Sequence, residues 1–585
     1  MKRSDCVQLY TVEGEQLLHS EEMPWTDYPR PHLKRDSFFC LNGEWEFAVT
    51  GKGETPASYP ERIRVPFAPE SVLSGIGRTM PKGAELHYCR HFTLPTSRSD
   101  GRVLLHFGAV DQVARVSLNG AELVTHRGGY APFTFDVTDC LAEDNVLHVT
   151  VTDELDTHIL PYGKQKRKRG GMWYTPVSGI WQTVWLEQVP KDYIRELRIV
   201  SYADRAELSV DYSGDAICEG TVILRDGEGE RTFPLRNGKA TLTVDDPILW
   251  SPETPQLYSI TVRMDEDTVE SYFALRSLDI REVNGIPRLC LNGKPYFFHG
   301  LLDQGYFCDG IFLPASPEGF ERDILLAKKF GFNMLRKHIK VEPEVFYYAC
   351  DRLGLVVFQD MVNNGGYSFI RDTALPTVGL KRKNDRRIHR NSQAREAFLS
   401  GMEETVKRLS FHPSVCAWTI FNEGWGQFDH ADAYRRLKAL DDTRFVDSVS
   451  GWFLPRRGKG SAVSDVESPH VYFKPIRLEQ AKASGKPIVL SEFGGYAHKV
   501  EGHSFNPVKT YGYRFFSDAS DLEDALEELY RKEVLPAIEE GLCAAVYTQL
   551  TDVEDETNGL VTYDRRVEKV SADRMKRLAD EIIKK

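Results

Sequence analysis

From about residue 281 onward the chain repeats one pattern: a short apolar run, then a stretch whose apolar residues recur at helical spacing. The runs fall near 295–300, 333–338, 355–361, 415–423, 445–450, 468–472, 487–492 and 544–549. Runs this short and this apolar read as strands buried on both faces, and the helical stretches between them serve as crossovers, so the sheet should be parallel. The first crossover is well marked, with Ser316 as N-cap, Pro317 at the first helical position, apolar Phe320, Ile324, Leu325 and Phe330, and Gly331 closing it. Eight strands predict a (β/α)8 TIM barrel over 281–585. The residues before it keep a different period. Short alternating runs such as Arg102–Phe107 and Val146–Val151, punctuated by Asn42-Gly43, Asn119-Gly120 and Gly128-Gly129, predict an N-terminal β-sandwich over 1–187. A second short-strand pattern over 188–280 has the length of an immunoglobulin-like β-sandwich. A multidomain chain is what 585 residues require, since one core does not grow that large.

Two of the apolar runs end in glutamate. Val415-Cys416-Ala417-Trp418-Thr419-Ile420-Phe421 leads into Asn422-Glu423-Gly424-Trp425-Gly426, and Pro487-Ile488-Val489-Leu490-Ser491 leads into Glu492-Phe493-Gly494-Gly495. Barrel enzymes keep their chemistry at the C-terminal ends of the strands, which is where both carboxylates fall. A lone strand-end glutamate is as often a solvated residue; it is the pair that has a use. Cleaving an acetal with retention takes one carboxyl to protonate the leaving oxygen and one carboxylate to attack the anomeric carbon, about 5–5.5 Å apart, whereas inversion sets the pair roughly 6.5–9.5 Å apart. Glu423, beside an amide and near an indole, suits the acid. Glu492, followed by glycines that let a ring approach, suits the nucleophile.

Bulk properties exclude several alternatives. With 86 acidic against 74 basic residues the net charge is −12, which argues against a general nucleic-acid binder. The ten cysteines show no CxxC pair, so neither a disulfide framework nor a zinc site is expected. No apolar stretch near the N-terminus resembles a signal peptide, and none elsewhere reaches the ~18 residues of a membrane span. A cytoplasmic protein without membrane association is the expectation.

Further motifs carry a resemblance. They are Leu41-Asn42-Gly43-Glu44-Trp45, Phe107-Gly108-Ala109-Val110-Asp111, Val116-Ser117-Leu118-Asn119-Gly120 and Ser178-Gly179-Ile180-Trp181-Gln182 in the first sandwich, and Leu249-Trp250-Ser251-Pro252-Glu253 in the second. The barrel adds Gly331-Phe332-Asn333-Met334-Leu335-Arg336-Lys337-His338, Phe421-Asn422-Glu423 and Ser491-Glu492-Phe493-Gly494. In this order the chain resembles glycoside hydrolase family 2, which holds β-galactosidases, β-glucuronidases and β-mannosidases. The resemblance implies a jelly-roll sugar-binding domain, an immunoglobulin-like domain and a catalytic barrel that retains configuration. It implies Glu423 as acid/base, Glu492 as nucleophile, Asn422 as the ligand of the sugar 2-hydroxyl, and Arg336 as the cation that keeps the nucleophile ionised. Asp303, Gln304, His338, Trp425, His470, Tyr472, Tyr547, Gln549 and Asp552 are pocket residues by position alone, with Trp425 placed to stack on a pyranose.

The departures are informative. Many β-glucuronidases hold the substrate carboxylate with an Asn-x-Lys motif; the corresponding stretch here is Asp555-Glu556-Thr557-Asn558, which disfavours a glucuronide. The metal-binding Glu-x-His of long bacterial β-galactosidases has no match after Gln359-Asp360-Met361, so no metal or other cofactor is expected. Two basic clusters stand out, Lys164 to Arg169, and Lys381-Arg382-Lys383 with Arg386, Arg387 and Arg390 in a long connection over 362–395. One or both are expected to line the aglycone side, the alternative being a solvated loop. The resulting reading is an exo-acting retaining β-glycosidase, β-galactosidase-like, acting on a carbohydrate substrate and, as relatives often do, pairing as a homodimer. Two rivals stay open: the same machinery on a β-mannoside, β-glucuronide or arabinopyranoside, or transferring to a sugar acceptor, and a carbohydrate-binding protein without turnover.

Overall fold

The computed structural model describes residues 6–94, 101–214, 219–226, 229–368, 370–374, 385–451 and 463–583. Eight parallel strands form the barrel: β1 (Phe298–Asp303), β2 (Met334–Lys337), β3 (Val356–Asp360), β4 (Val415–Asn422), β5 (Phe445–Ser450), β6 (His470–Val471), β7 (Ile488–Gly494) and β8 (Leu542–Thr548). Their spatial order is β5-β4-β3-β2-β1-β8-β7-β6. The seam between β5 and β6 is bridged by single hydrogen bonds, Asp465 N to Val446 O (2.9 Å) and Gly451 N to Ser468 O (2.8 Å). Every residue of these strands is buried, as expected of a sheet lined inside by side chains and covered outside by helices.

Two element boundaries differ from the sequence reading, each for a local reason. The first crossover helix is Glu318–Lys329, because its opening turn closes through Gly319 N to Ser316 O and Phe320 N to Pro317 O, the tighter three-residue bond. Strand β1 starts three residues late because Lys294–Pro295 pairs instead with a hairpin, Leu278–Val283 and Ile286–Leu291, that the periodicity does not single out. That hairpin turns at Asn284 and Gly285, both at positive φ, the backbone of a two-residue turn. Its Leu289 packs in one cluster with Phe298, Phe358 and Phe445, and Arg288 caps the carbonyls of Ile538 and Leu542. The N-terminal mouth of the barrel is thereby plugged.

Upstream, one four-stranded and one seven-stranded antiparallel sheet enclose a core of Trp45, Phe47, Tyr88, Phe107, Val149 and Leu186 among others. The strand Asn145–Thr152 alternates buried with half-buried residues along its whole length, the mark of a sheet with one face wet. A three-stranded and a four-stranded sheet within 194–273 make the second sandwich. Among the described residues no helix is long and apolar enough to cross a membrane.

One segment of the first sandwich leaves its own domain. Residues 159–175 lie against the barrel through Tyr162 N and Gly163 N to Asn363 O, Asn364 Nδ2 to Ile159 O, Tyr162 Oη to Gly365 O, and Thr175 N to Glu554 Oε1. Gly163 is obligatory there. Its φ is +63°, and a Cβ would sit 2.9 Å from Ile339 O.

Candidate active site

Strand β4 delivers Glu423 and β7 delivers Glu492. Asn422 is the last strand residue, and Glu423 turns out of the sheet with φ +50°, its N–H still bonded to Ser450 O. A glutamate in the left-handed region is uncommon and costs about 1 kcal/mol, so the surrounding turn must over-determine it. Gly424 and Gly426 both follow at φ +70°; a Cβ on Gly426 would meet Asn364 O at 2.5 Å. Across the opening, a carboxylate oxygen of Glu423, one of Glu492 and a ring nitrogen of His470 lie within 4.8 Å of one another. His470 Nδ1 is 2.8 Å from Glu423 Oε1 and 3.5 Å from Glu492 Oε2. The two glutamates differ in setting: the Glu423 side chain is 36% exposed and that of Glu492 7%.

Glu492 is held by a network that starts on β2. Arg336, 1% exposed, donates Nη1 to Glu492 Oε1 (3.1 Å) and to Ser491 O (2.9 Å), Nε to Asp360 Oδ1 (3.0 Å), and Nη2 to Asn422 Oδ1 (2.9 Å) and Ser450 Oγ (3.0 Å). Tyr472 Oη donates to the other oxygen, Oε2, at 2.7 Å, its ring stacked on Tyr513 with centroids 3.9 Å apart. Burial by itself would raise the Glu492 carboxyl, yet the nearby His470, His338, Arg336 and Lys164 bring it well below its ordinary 4.5. Of these, Arg336 carries a permanent charge. Burial pushes His338 down to about 4, so it is neutral near pH 7, its Nδ1 fixed 2.7 Å from Asp360 Oδ2. Asn422 has its Oδ1 taken by Arg336 and Ser450, which leaves the Nδ2 donors for a ligand.

Asn422, Glu423, Trp425, His338, Gln304, Tyr472 and Glu492 line a common pocket of about 580 Å³, with His470 behind the two carboxylates. Trp425 is pinned by Nε1 to Gly365 O and by edge contacts to Tyr162 and Trp173. Gln549 sits one layer back, accepting from Gln304 Nε2 and donating to Glu556 Oε2 and Asn558 Oδ1. Besides His470 and Gln549, three expected residues fall outside the pocket lining. Asp303 pairs with Lys337 at 2.5 Å, Tyr547 packs on Phe493 and accepts from Tyr496 N, and Asp552 pairs with Lys569 at 2.6 Å.

The pocket also holds residues the sequence reading did not assign to it. Tyr511, Tyr513 and Thr548 come from the barrel side; Met172 and Trp173 come from the sandwich segment; Glu556 follows β8. Lys164 belongs to the first basic cluster and does line the pocket. Its neighbours are spent elsewhere: Lys166 lies over the Trp173 ring at 3.8 Å, Arg167 pairs with Asp153 and Asp156, and Arg169 pairs with Glu554 and Asp555. In the second cluster Arg386 pairs with Asp429 and Arg390 is exposed; Lys381, Arg382, Lys383 and the side chain of Arg387 lie outside the described residues. Among the described residues two donor sets have the proximity a metal needs: Glu423, His470 and Glu492, and Glu46, Cys89 and His91 on the first sandwich. In the former, a dication would face the charges of Arg336 and Lys164, an unfavourable setting.

Residues 283–568 match the description "Glycosyl hydrolases family 2, TIM barrel domain", 80–180 "Glycosyl hydrolase 2 galactose-binding domain-like", and 194–276 "Glycosyl hydrolases family 2". The chain is 27% identical over 567 residues to a β-galactosidase of Aeromonas hydrophila, covering 82% of this chain and 51% of that one. It is 24% identical over 445 residues to a putative β-glucuronidase of Formosa agariphila, covering 70% and 50%. The chain thus spans about half the length of these curated relatives. Among solved structures, a β-D-glucuronidase of Dictyoglomus thermophilum superposes with a TM-score of 0.73 over 94% of this chain and 98% of that one, at 20% identity. At that identity the likeness is one of fold.

Proposed function

The chain belongs to glycosyl hydrolase family 2, and from that premise and the geometry above we propose that it is an exo-acting, retaining β-glycosidase, with β-galactosides the first substrates to try. One observation carries the reading: carboxylate oxygens of Glu423 and Glu492 within 4.8 Å of each other, at the ends of β4 and β7. That spacing suits direct attack by one carboxylate. It favours retention over the roughly 6.5–9.5 Å arrangement of inverting enzymes, which leaves room for a water between carboxylate and sugar.

The steps follow from the partners. A Glu492 oxygen, oriented by Arg336 and Tyr472, forms a bond to the anomeric carbon as the glycosidic C–O bond breaks, and Glu423 gives its proton to the departing oxygen. Glu423 then takes a proton from water, the water oxygen bonds to the same carbon, and Glu492 leaves. Asn422 Nδ2 is the donor for the hydroxyl beside the reacting carbon, where a hydrogen bond that strengthens in the transition state favours rate over ground-state binding. His470, within reach of both carboxyls, positions them.

A panel of aryl β-glycosides with Glu492→Gln as inactive control tests the proposal. Glu423→Ala should lose about 10²–10⁴-fold on substrates with poor leaving groups, while the first step survives on activated aryl leaving groups, which need no proton. Binding of sugars without turnover of any would favour a carbohydrate-binding protein instead.

A further inference from the structure

The pocket holds a carboxyl that the bond-breaking steps do not use. Glu556 is 4% exposed and lines the same opening as Glu492. Tyr174 Oη donates to its Oε1 at 2.8 Å and Gln549 Nε2 to its Oε2 at 3.1 Å. The Gln549 amide cannot be read the other way round, because its Oε1 already accepts from Gln304 Nε2. Each Glu556 oxygen is therefore fixed as an acceptor with lone-pair capacity to spare.

Facing it is a cation from another domain. Among the described residues the Lys164 ammonium makes no hydrogen bond and no ion pair; its one ring neighbour, Tyr174, is 5.7 Å away. Its backbone is nevertheless pinned. Gly163 permits the close approach to the barrel, Gln165 on the other side is held by Asp111 and by Val177 N, and Tyr174 N donates to Lys164 O. Burial pushes the Glu556 carboxyl up, and Lys164 is the strongest influence drawing it back.

Building on the glycosidase reading, we propose that Glu556 and Lys164 form a donor–acceptor pair that selects a neutral β-linked pyranoside and excludes the matching uronide. A carboxylate accepts sugar hydroxyls well and cannot accept another carboxylate. The charge count points the same way. Arg336 is already shared between Glu492 and Asp360, and Lys164, the cation of the pocket lining, faces Glu556, so a substrate carboxylate would find no cation of its own. Lys164 completes the pair by donating to a hydroxyl oxygen and by balancing Glu556.

The test uses the full-length enzyme and two pairs of 4-nitrophenyl β-glycosides that differ only at C6: galactoside with galacturonide, and glucoside with glucuronide. The expected wild-type result is kcat/KM favouring the neutral member by about 100-fold in whichever pair is turned over. Glu556→Gln, isosteric and uncharged, should move that ratio about tenfold toward the uronide. Lys164→Gln, at a half-buried position where misfolding is not at issue, should raise KM for the neutral member without moving the preference toward the uronide. A wild-type preference for the uronide, an unchanged ratio in folded Glu556→Gln, or selective loss of uronide turnover in Lys164→Gln overturns the inference and leaves the glycosidase reading standing. Turnover of none of the four overturns the inference, and turnover of no aryl β-glycoside of any sugar removes the glycosidase reading with it.

Discussion

Arg336 and Lys337 are consecutive on β2 and face opposite ways, and each anchors a buried ion cluster. Arg336 points into the barrel to Asp360 and Glu492. Lys337 points outward to Asp303 (2.5 Å) and Glu342 (2.9 Å), under the ring of Phe346. The outer cluster is closed: Lys340 supplies Glu342 with two more bonds, at 2.9 and 2.7 Å, and Gly305 N takes the second oxygen of Asp303. The inner one is open, since Glu492 lines the pocket. Both clusters carry the desolvation cost of buried charge. Only the inner one has a charge left to present to a ligand. Burial and pairing therefore do not identify a working carboxylate; an incomplete protein shell does.

The contrast predicts opposite mutational signatures. Glu492→Gln should lower kcat by roughly five orders of magnitude with a smaller loss of thermal unfolding midpoint than Lys337→Met, since Asp360 still neutralises Arg336; an equal loss of midpoint would place Glu492 with the closed cluster. Lys337→Met should do the reverse. Removing one partner strands Asp303 and Glu342, at about 3–5 kcal/mol, and turnover per folded molecule, counted by covalent trapping of the active site, should stay near wild type. A large loss of turnover per trapped site would erase the distinction. The smallest effect is in pH. Glu492 is held below its ordinary 4.5, so the stability it contributes is complete above pH 4.5 and is lost as pH falls through the folded value. The wild-type midpoint should therefore drop more steeply below pH 4.5 than that of Glu492→Gln, and parallel profiles would mean that the open cluster contributes no linkage.

The same contrast locates the limit of what the sequence discloses. Barrel strands and the two strand-end glutamates are legible because a period change and an apolar run ending in an acid are local signals. Which strand-end side chains turn inward is not legible. In a parallel strand both faces are apolar, so the inward and outward phases read alike. Asp303 was expected in the pocket and belongs to the outer cluster, whereas Asp360, which was not, holds both Arg336 and His338. Tyr547 and Thr548 trade places for the same reason: the tyrosine packs outward and the threonine lines the pocket. Lys164 was visible only as charge density, since nothing local says that a sandwich segment will reach across to the barrel.

That segment has a consequence for how such an enzyme diversifies. With Lys164 and Trp173 borne by the first sandwich, and Glu556 and both catalytic candidates by the barrel, the pocket lining is encoded in two separate stretches of the gene. A chimera that swapped sandwiches between relatives should keep the barrel's chemistry and its Glu556 acceptor, and change chiefly in how tightly it holds the sugar.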